Sequence, residues 1–264
     1  MVQKVMKTSL PEVEIISVHL PKTAGHTFTQ ALLEVYNIKE IFFDYPYESE
    51  ANLTTIESEI RVIQGHFPVT KYRNLFQNAK TIIWLRNPIE RLISHYYFWK
   101  YLPLEENNIC QRLLKENELN IVQFAELPEM QNYITSFFIK EMELADFYFI
   151  GIQSFFEEDL TELSMKMGWP ELKEITRINQ NIYPEYEKRK QELLANPRIR
   201  SRLEYLNRQD MELYQLALKY RHERRMKSRK KRLMDIHIEL EKNSIYIEKK
   251  NNSNSCMDNK FRLI

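Results

Sequence analysis

Two short segments carry side chains suited to binding anionic groups. The first, PKTAGHT at residues 21–27, follows the apolar run IISVHL and offers a lysine, two threonines and a glycine. A helix that begins there would point its backbone N–H groups and its dipole at one place, and Lys22 would add a positive charge. The second, IIWLRNPIERLISHYY at residues 82–97, repeats the strand-to-helix pattern and offers Arg86 and Ser94. Together they predict a ligand with two separated anionic groups.

The first segment is not a Walker A motif, which places its lysine after a longer glycine-rich loop. Gly25 permits close approach of the backbone to a ligand, and Lys22 can reach a bound anion as a point charge. Thr23 and Thr27 offer hydroxyl groups. An ordinary strand-to-helix turn with an exposed lysine would also explain this segment.

The second segment has the residues of a well-formed helix start. Asn87 is suited to the N-cap, Pro88 to the first helical position, and Glu90 to closing a capping box. This explanation does not account for Arg86 at the end of the strand. Since helical side chains tilt toward the N-terminus, Ser94 can lean back toward Arg86. A guanidinium together with a hydroxyl is suited to a phosphate.

Alternating strands and helices must position these segments. The strand-like runs are residues 15–20, 40–43, 61–64, 80–85 and 147–152. Helical spacing follows the first and fourth runs, and further helices are predicted over 154–167, 185–195 and 198–220. This alternation predicts a three-layer α/β fold with a central parallel sheet flanked by helices. Both anion-binding segments then lie beyond the carboxyl ends of strands, where such sheets bind ligands.

Composition limits the partners, metal sites and compartments that the protein could have. The chain has 264 residues, 43% of them hydrophobic, and a net charge of +1, so no global field favours nucleic acid or a membrane surface. Cys110 and Cys256 lack the spacing of a disulfide framework or a metal site. No apolar run resembles a signal peptide or a membrane span. We expect a cytoplasmic protein with no metal, no membrane span and no nucleic-acid partner.

The composition changes after residue 220. Residues 221–232 hold eight basic side chains, residues 236–247 alternate apolar and polar around a turn-like middle, and the last residues are polar. We predict a domain over 1–220 and a basic, partly disordered extension over 221–264. The basic run is typical of a solvated helix end, with an acidic glycan or a nucleic acid as alternative partners. A hairpin or dimer contact at 236–247 and the oligomeric state stay open.

Together, the two anion-binding segments resemble the nucleotide-binding segments of sulfotransferases that use 3′-phosphoadenosine 5′-phosphosulfate (PAPS). The resemblance is to the carbohydrate branch, such as the heparan sulfate 2-O and 6-O enzymes, and it covers residues 15–220. It implies the P-loop-like form of the three-layer fold. It also implies that the 5′-phosphosulfate is held by Lys22, Thr23, Ala24, Gly25, His26 and Thr27. The 3′-phosphate would be held by Arg86 and Ser94, which have the family's spacing of eight residues.

Further segments extend the resemblance. GHFPV at 65–69 is similar to the segment that supplies a catalytic histidine, which makes His66 the implied general base and Lys22 the group that stabilises the bridging oxygen. A polar residue at a strand end would also account for His66. FIGIQSFFEEDLTEL at 149–163, RINQN at 177–181 and LNRQDMELYQLA at 206–217 are similar to later segments of the family. The second of these implies an asparagine-containing loop near the adenine.

The first loop departs from the family's usual PKTGGT or PKTGGS. Ala24 replaces a glycine, a change that matters little if its φ is negative. His26 replaces a hydroxyl residue and leaves that contact with the 5′-phosphate to Thr27 and the backbone amides. Of the other histidines, we expect His19 and His95 to serve in packing.

These features predict a PAPS-dependent sulfotransferase that acts on a hydroxyl acceptor, a saccharide before a lipid, a small metabolite or a tyrosine peptide. The aromatic residues at 96–99 would belong mostly to the core, with some free to line an acceptor pocket. One alternative is a P-loop-type phosphotransferase, which would need a glycine-rich loop and an aspartate for magnesium. Another is a nucleotide-binding protein without catalytic activity.

Overall fold

Short apolar runs form the predicted central sheet. The computed structural model describes residues 11–45, 57–105, 107–173 and 183–258. The strands are β1 (Ile15–Val18), β2 (Ile41–Asp44), β3 (Val62–Gly65), β4 (Lys80–Leu85) and β5 (Phe149–Ile152). They are all parallel, in the order β2-β3-β1-β4-β5. Every residue of β1, β3 and β5 is buried, as expected for strands covered on both faces. The predicted α/β fold is confirmed.

Helices follow the strands and cover the sheet. They are α1 (Gly25–Val35), α2 (Thr70–Arg73), α3 (Pro88–Tyr101), α4 (Ile109–Glu116), α5 (Ile121–Glu126), α6 (Phe156–Met167), α7 (Tyr186–Ala195), α8 (Pro197–Leu206) and α9 (Arg208–Asp258). Helix α1 buries Phe28 and Leu32 in the same core cluster as Trp84 and Phe149 of the sheet. This packing fixes the loop between β1 and α1 at the carboxyl edge of the sheet.

Helix α3 begins as predicted, with one exception. The side chain of Asn87 accepts hydrogen bonds from the backbone N–H groups of Ile89 and Glu90, and Pro88 occupies the first turn. The predicted capping box is absent because the Glu90 carboxylate pairs with the Arg86 guanidinium at 3.4 Å. The start of α3 therefore anchors the arginine that the sequence singled out.

The C-terminal part of the chain departs from the predictions. The helix predicted over 198–220 is divided, because α8 ends at Leu206 and α9 begins at Arg208. Helix α9 includes residues 236–247, where a turn-like middle was predicted, and residues 251–258, which were predicted to be disordered. Local alternation and polarity over a few residues are weak signals of secondary structure, and the helix continues through both segments. Residues 177–181 lie outside the described residues.

Contacts divide the chain into two units, Met1–Leu218 and Lys219–Ile264. The sheet and helices α1 to α8 belong to the first unit. In the described part of the chain, no helix is both long and apolar enough to cross a membrane.

Candidate active site

A cavity of about 710 Å³ lies where the strands end at their carboxyl edge. Residues that follow four of the strands line it: His19 after β1, His66 after β3, Arg86 after β4 and Gln153 after β5. The remaining lining residues are Pro21, Lys22, Ala24, Gly25, His26, Thr27, Ser94, Phe98, Phe156, Tyr183, Glu185, Tyr186, Glu187 and Lys188. All the residues that the sequence proposed for the site, except Thr23, therefore share one cavity.

The loop between β1 and α1 has an unusual backbone. Lys22 and Ala24 both have positive φ, 70° and 73°. Ala24 would be a neutral replacement for glycine only if its φ were negative, and its φ is positive. The left-handed conformation costs a non-glycine residue about 1–2 kcal/mol. Such residues curve successive backbone N–H groups into a concave surface that suits an anion.

Gly25 makes room for a histidine of the protein. A Cβ atom at this position would overlap the imidazole ring of His19. The sequence alone favoured a ligand as the group that approaches Gly25, but the structure places His19 there. Thr23 is buried, and its hydroxyl donates to the carbonyl oxygen of Leu20 at 2.9 Å, away from the cavity. Thr27 is buried and lines the cavity.

The hydrogen bond of His66 defines its tautomer. Its Nδ1 atom lies 2.5 Å from the carbonyl oxygen of His19. Because a carbonyl oxygen only accepts, Nδ1 carries the proton and Nε2 of the neutral ring keeps its lone pair. Burial lowers the pKa of His66 to about 4, so the ring is neutral at pH 7. Nε2 is thus able to accept a proton from a bound ligand.

Two further imidazoles flank His66. The centroid of the His19 ring lies 4.5 Å from that of His66 and 5.4 Å from that of His26, and His19 Nδ1 is 2.6 Å from the hydroxyl of Tyr45. Burial, and then the nearby imidazoles and Lys22, hold the pKa of His19 well below its usual value. Burial and Lys22 also lower the pKa of His26. The sequence did not assign His19 to the cavity, although its place at the end of β1 was the available signal.

Lys22 lies against an aromatic ring. Its Nζ atom is 3.6 Å from the centroid of the Phe98 ring, a cation–π contact. Burial, and then the positive charge of Arg86, lower the pKa of Lys22 to about 8. Among the described residues, the salt bridges do not include Lys22.

Arg86 connects the two anion-binding segments. Its Nη1 donates to the carbonyl oxygen of Lys22 and its Nη2 to Glu90, both at 3.4 Å. Among the described residues, its buried Nε has no hydrogen-bond partner. Two long hydrogen bonds and one unused donor leave the guanidinium with capacity for an anion. Ser94 lies two turns along α3, and its buried side chain lines the same cavity.

One wall of the cavity had no sequence signal. It is formed by residues 183 and 185–188, a segment remote in sequence from both motifs. His95 is buried beside Trp99, with ring centroids 4.0 Å apart, and does not line the cavity. Within the described ranges, no group of His, Cys, Asp or Glu side chains is arranged to hold a metal ion.

Residues 8–217 match the model of the sulfotransferase family. The chain therefore belongs to that family, and the class expected from the two segments is confirmed. The match does not distinguish the carbohydrate branch from the others. A search of curated proteins found no significant match.

Solved structures with a related fold include two sulfotransferases. The mouse sulfotransferase SULT7A1, complexed with PAP, is 12% identical over 70% of this chain and 64% of its own, with a TM-score of 0.39. A sulfotransferase from Alicyclobacillus acidocaldarius is 14% identical over 76% of this chain and 96% of its own, with a TM-score of 0.34. This chain thus spans less than two thirds of the mouse protein. Similarities this low say nothing about individual site residues.

Proposed function

We propose that this protein is a sulfotransferase that uses PAPS as donor and a hydroxyl group, on a saccharide by preference, as acceptor. When bound, PAPS supplies the sulfuryl group that is transferred to the acceptor oxygen. The observation that carries the proposal is the gathering of His66, Lys22, Arg86 and Ser94 around one cavity. These groups can bind a doubly anionic nucleotide and remove a hydroxyl proton.

The residues of the cavity fit a nucleotide with phosphates at both ends. The unused Nε donor and the two weakly held Nη groups of Arg86, with the hydroxyl of Ser94, suit the 3′-phosphate. The curved backbone of Lys22 to Thr27 and the start of α1 suit the 5′-phosphosulfate. In this assignment Thr23 contributes its backbone rather than its hydroxyl.

His66 is the proposed general base. Its Nε2 takes the proton of the acceptor hydroxyl, and the bond from Nδ1 to the His19 carbonyl holds the ring and stabilises its protonated form. General base catalysis of this kind contributes about 10²–10⁴-fold to a rate. The ammonium of Lys22 neutralises charge that develops on the oxygen of the leaving phosphate, a contribution of about 10²–10³-fold.

The preference for a saccharide is supported by an aromatic side chain of the cavity. Tyr183 is half-buried and lines it, and sugar rings stack on aromatic faces. The heparan sulfate type of acceptor remains a proposal that depends on the sequence motifs.

Titration with 3′-phosphoadenosine 5′-phosphate (PAP) and with ATP tests the donor. We expect PAP to bind more tightly than ATP and Arg86→Ala to lose about 10–100-fold in PAP affinity, because a charged hydrogen-bonding partner is removed. Calorimetry on both proteins measures this. Tighter binding of ATP, unaffected by Arg86→Ala, would overturn the donor assignment and favour the P-loop-type phosphotransferase.

A screen of hydroxyl acceptors tests the catalytic assignment. His66→Ala should retain PAP affinity and lose turnover by about 10²–10⁴-fold. Binding of PAP without transfer to any acceptor in the wild type would favour a nucleotide-binding protein that lacks catalytic activity.

A further inference from the structure

Phe98 lies close to a proposed catalytic group without a role of its own in the scheme above. Its half-buried ring lines the cavity, one helical turn after Ser94 on α3. The ammonium of Lys22, another lining residue, is 3.6 Å from the ring centroid. Arg86, which directly follows β4, donates to the Lys22 carbonyl oxygen. The backbone of this lysine is therefore held by a residue at the end of β4, and its ammonium contacts a residue of α3.

The surroundings of Lys22 otherwise disfavour its charge. Burial and the positive charge of Arg86 both act against the ammonium. In the described part of the chain, no carboxylate forms a salt bridge with it. The negative face of an aromatic ring attracts a cation without cancelling its charge. A carboxylate at the same place would neutralise the charge that the leaving oxygen needs.

We propose that Phe98 is the positioning residue of Lys22: its ring holds the ammonium inside the cavity, with its full charge available to the leaving oxygen. An ammonium has three N–H groups, so those not facing the ring remain free to donate to a ligand. The inference rests on the proposed function, since it assigns Lys22 its catalytic role.

A double-mutant cycle with Phe98→Leu and Lys22→Met tests whether Phe98 acts through Lys22. Leucine preserves the apolar bulk and removes the ring. We expect Phe98→Leu to lower PAP affinity and kcat by about 3–30-fold in the wild-type background and to have no effect in the Lys22→Met background. Phe98→Tyr, which keeps an aromatic face, should restore both quantities to within about 3-fold of the wild type.

Tyr101→Leu is the matched control. Tyr101 lies on the same helix, is 50% exposed and does not line the cavity. The same loss of an aromatic ring there should leave PAP affinity and kcat unchanged. Equal losses for Phe98→Leu in the wild-type and Lys22→Met backgrounds would overturn the proposal.

Acetylation of the ligand-free protein separates this inference from the proposed function. Mass spectrometry gives the ratio of acetylation at Lys22 to that at Lys188, whose side chain is 67% exposed and also lines the cavity. We expect Phe98→Leu to change this ratio by about 3-fold or more and Phe98→Tyr to preserve it. An unchanged ratio would overturn the positioning role, whether or not PAP binds. A wild type that prefers ATP to PAP, with the ratio changed, would overturn only the proposed function.

Discussion

His66 shows how a neighbouring backbone group can prepare a side chain for proton transfer. The carbonyl oxygen of His19 fixes the proton on Nδ1, and burial keeps the ring neutral. Lys22 is prepared differently, by an aromatic contact and by burial and a positive neighbour, which lower its pKa. The two groups must be in opposite protonation states, neutral His66 and charged Lys22, for the proposed reaction. Their shifted pKa values define the pH range in which both conditions hold.

The first prediction is a pH profile of kcat/KM with limbs near pH 4 and pH 8. The pKa of His66 is lowered to about 4, so the base is available above that pH and is lost as the pH falls through it. The pKa of Lys22 is lowered to about 8, so the ammonium is present below that pH and is lost as the pH rises through it. Steady-state kinetics with saturating acceptor and varied donor measures both limbs, because kcat/KM for the donor reports the groups of the donor-free enzyme.

Lys22→Arg is the control for the alkaline limb, because a guanidinium stays charged throughout this range. An acid limb at the ordinary histidine pKa of about 6.5 in the wild type would contradict the role assigned to buried, neutral His66.

The second prediction concerns the strained residue of the loop. Ala24→Gly should raise the free energy of unfolding by about 0.5–1 kcal/mol, since relief of the positive φ exceeds the added entropy of the unfolded chain. Urea denaturation measures it. Ala31→Gly, inside α1, should instead destabilise the protein by about 1 kcal/mol. A loss of stability in Ala24→Gly would show that the loop is not strained at this residue.

At the scale of elements, α3 both presents site residues and holds a buried charge in the core. Arg91 is fully buried, with its guanidinium 4.8 Å from the ring centroid of Tyr133. Its Nε and Nη2 have no hydrogen-bond partners in the described part of the chain, and its Nη1 is 3.4 Å from His95 Nδ1. The carboxylate of Asp210 accepts instead from the backbone N–H groups of Ile134 and Thr135 and from the Thr135 hydroxyl. The charge of Asp210 stabilises the guanidinium electrostatically, but burial outweighs it and lowers the pKa of Arg91, so the desolvation of Arg91 is only partly compensated.

The third prediction is that Arg91→Met leaves the stability within about 1 kcal/mol of the wild type or increases it, because a poorly paired buried charge is replaced by an apolar side chain of similar length. Asp210→Ala should cost about 2–4 kcal/mol, since it leaves buried donors without an acceptor. Urea denaturation compares the two. A loss in Arg91→Met as large as in Asp210→Ala would mean that Arg91 is a required partner.

At the scale of the whole molecule, the residues of the site all belong to the first unit, Met1–Leu218. The basic run begins in the second unit, Lys219–Ile264, and its described side chains at 227–231 are exposed. We continue to propose that a domain over 1–220 carries the chemistry and that 221–264 is an extension. Exposed lysines on a helix are well solvated, and their charges are screened in physiological salt.

The fourth prediction tests whether the basic run of the second unit contributes to nucleotide binding in the first unit. Replacing Lys227, Lys230 and Lys231 by glutamine should leave PAP affinity within about 2-fold of the wild type, since the charges of these exposed side chains are screened by salt. Calorimetry measures it. Retention on heparin at increasing salt tests the alternative partners, because a smaller salt dependence in the variant would indicate that these lysines bind a polyanion. A large loss of PAP affinity would contradict the proposed independence of the domain.

The sequence by itself determined the features that depend on neighbouring residues. Apolar runs fixed the five strands, Asn87 and Pro88 fixed the start of α3, and the spacing of Arg86 and Ser94 predicted the second anion-binding segment. Local signals misjudged the region after residue 206, because alternation and polarity over a few residues are weak evidence for where a helix is interrupted or ends.

Only the tertiary structure decided how the site residues are prepared for chemistry. The contact of Lys22 with Phe98 and the bond from His66 to the His19 carbonyl join groups far apart in the chain. The positive φ of Ala24 likewise follows from the path that the loop must take between β1 and α1. Residue types and spacing cannot specify these distances, because they are set when the sheet and α3 pack together. The motifs therefore predicted which residues would meet, and the packing determined their charge and orientation.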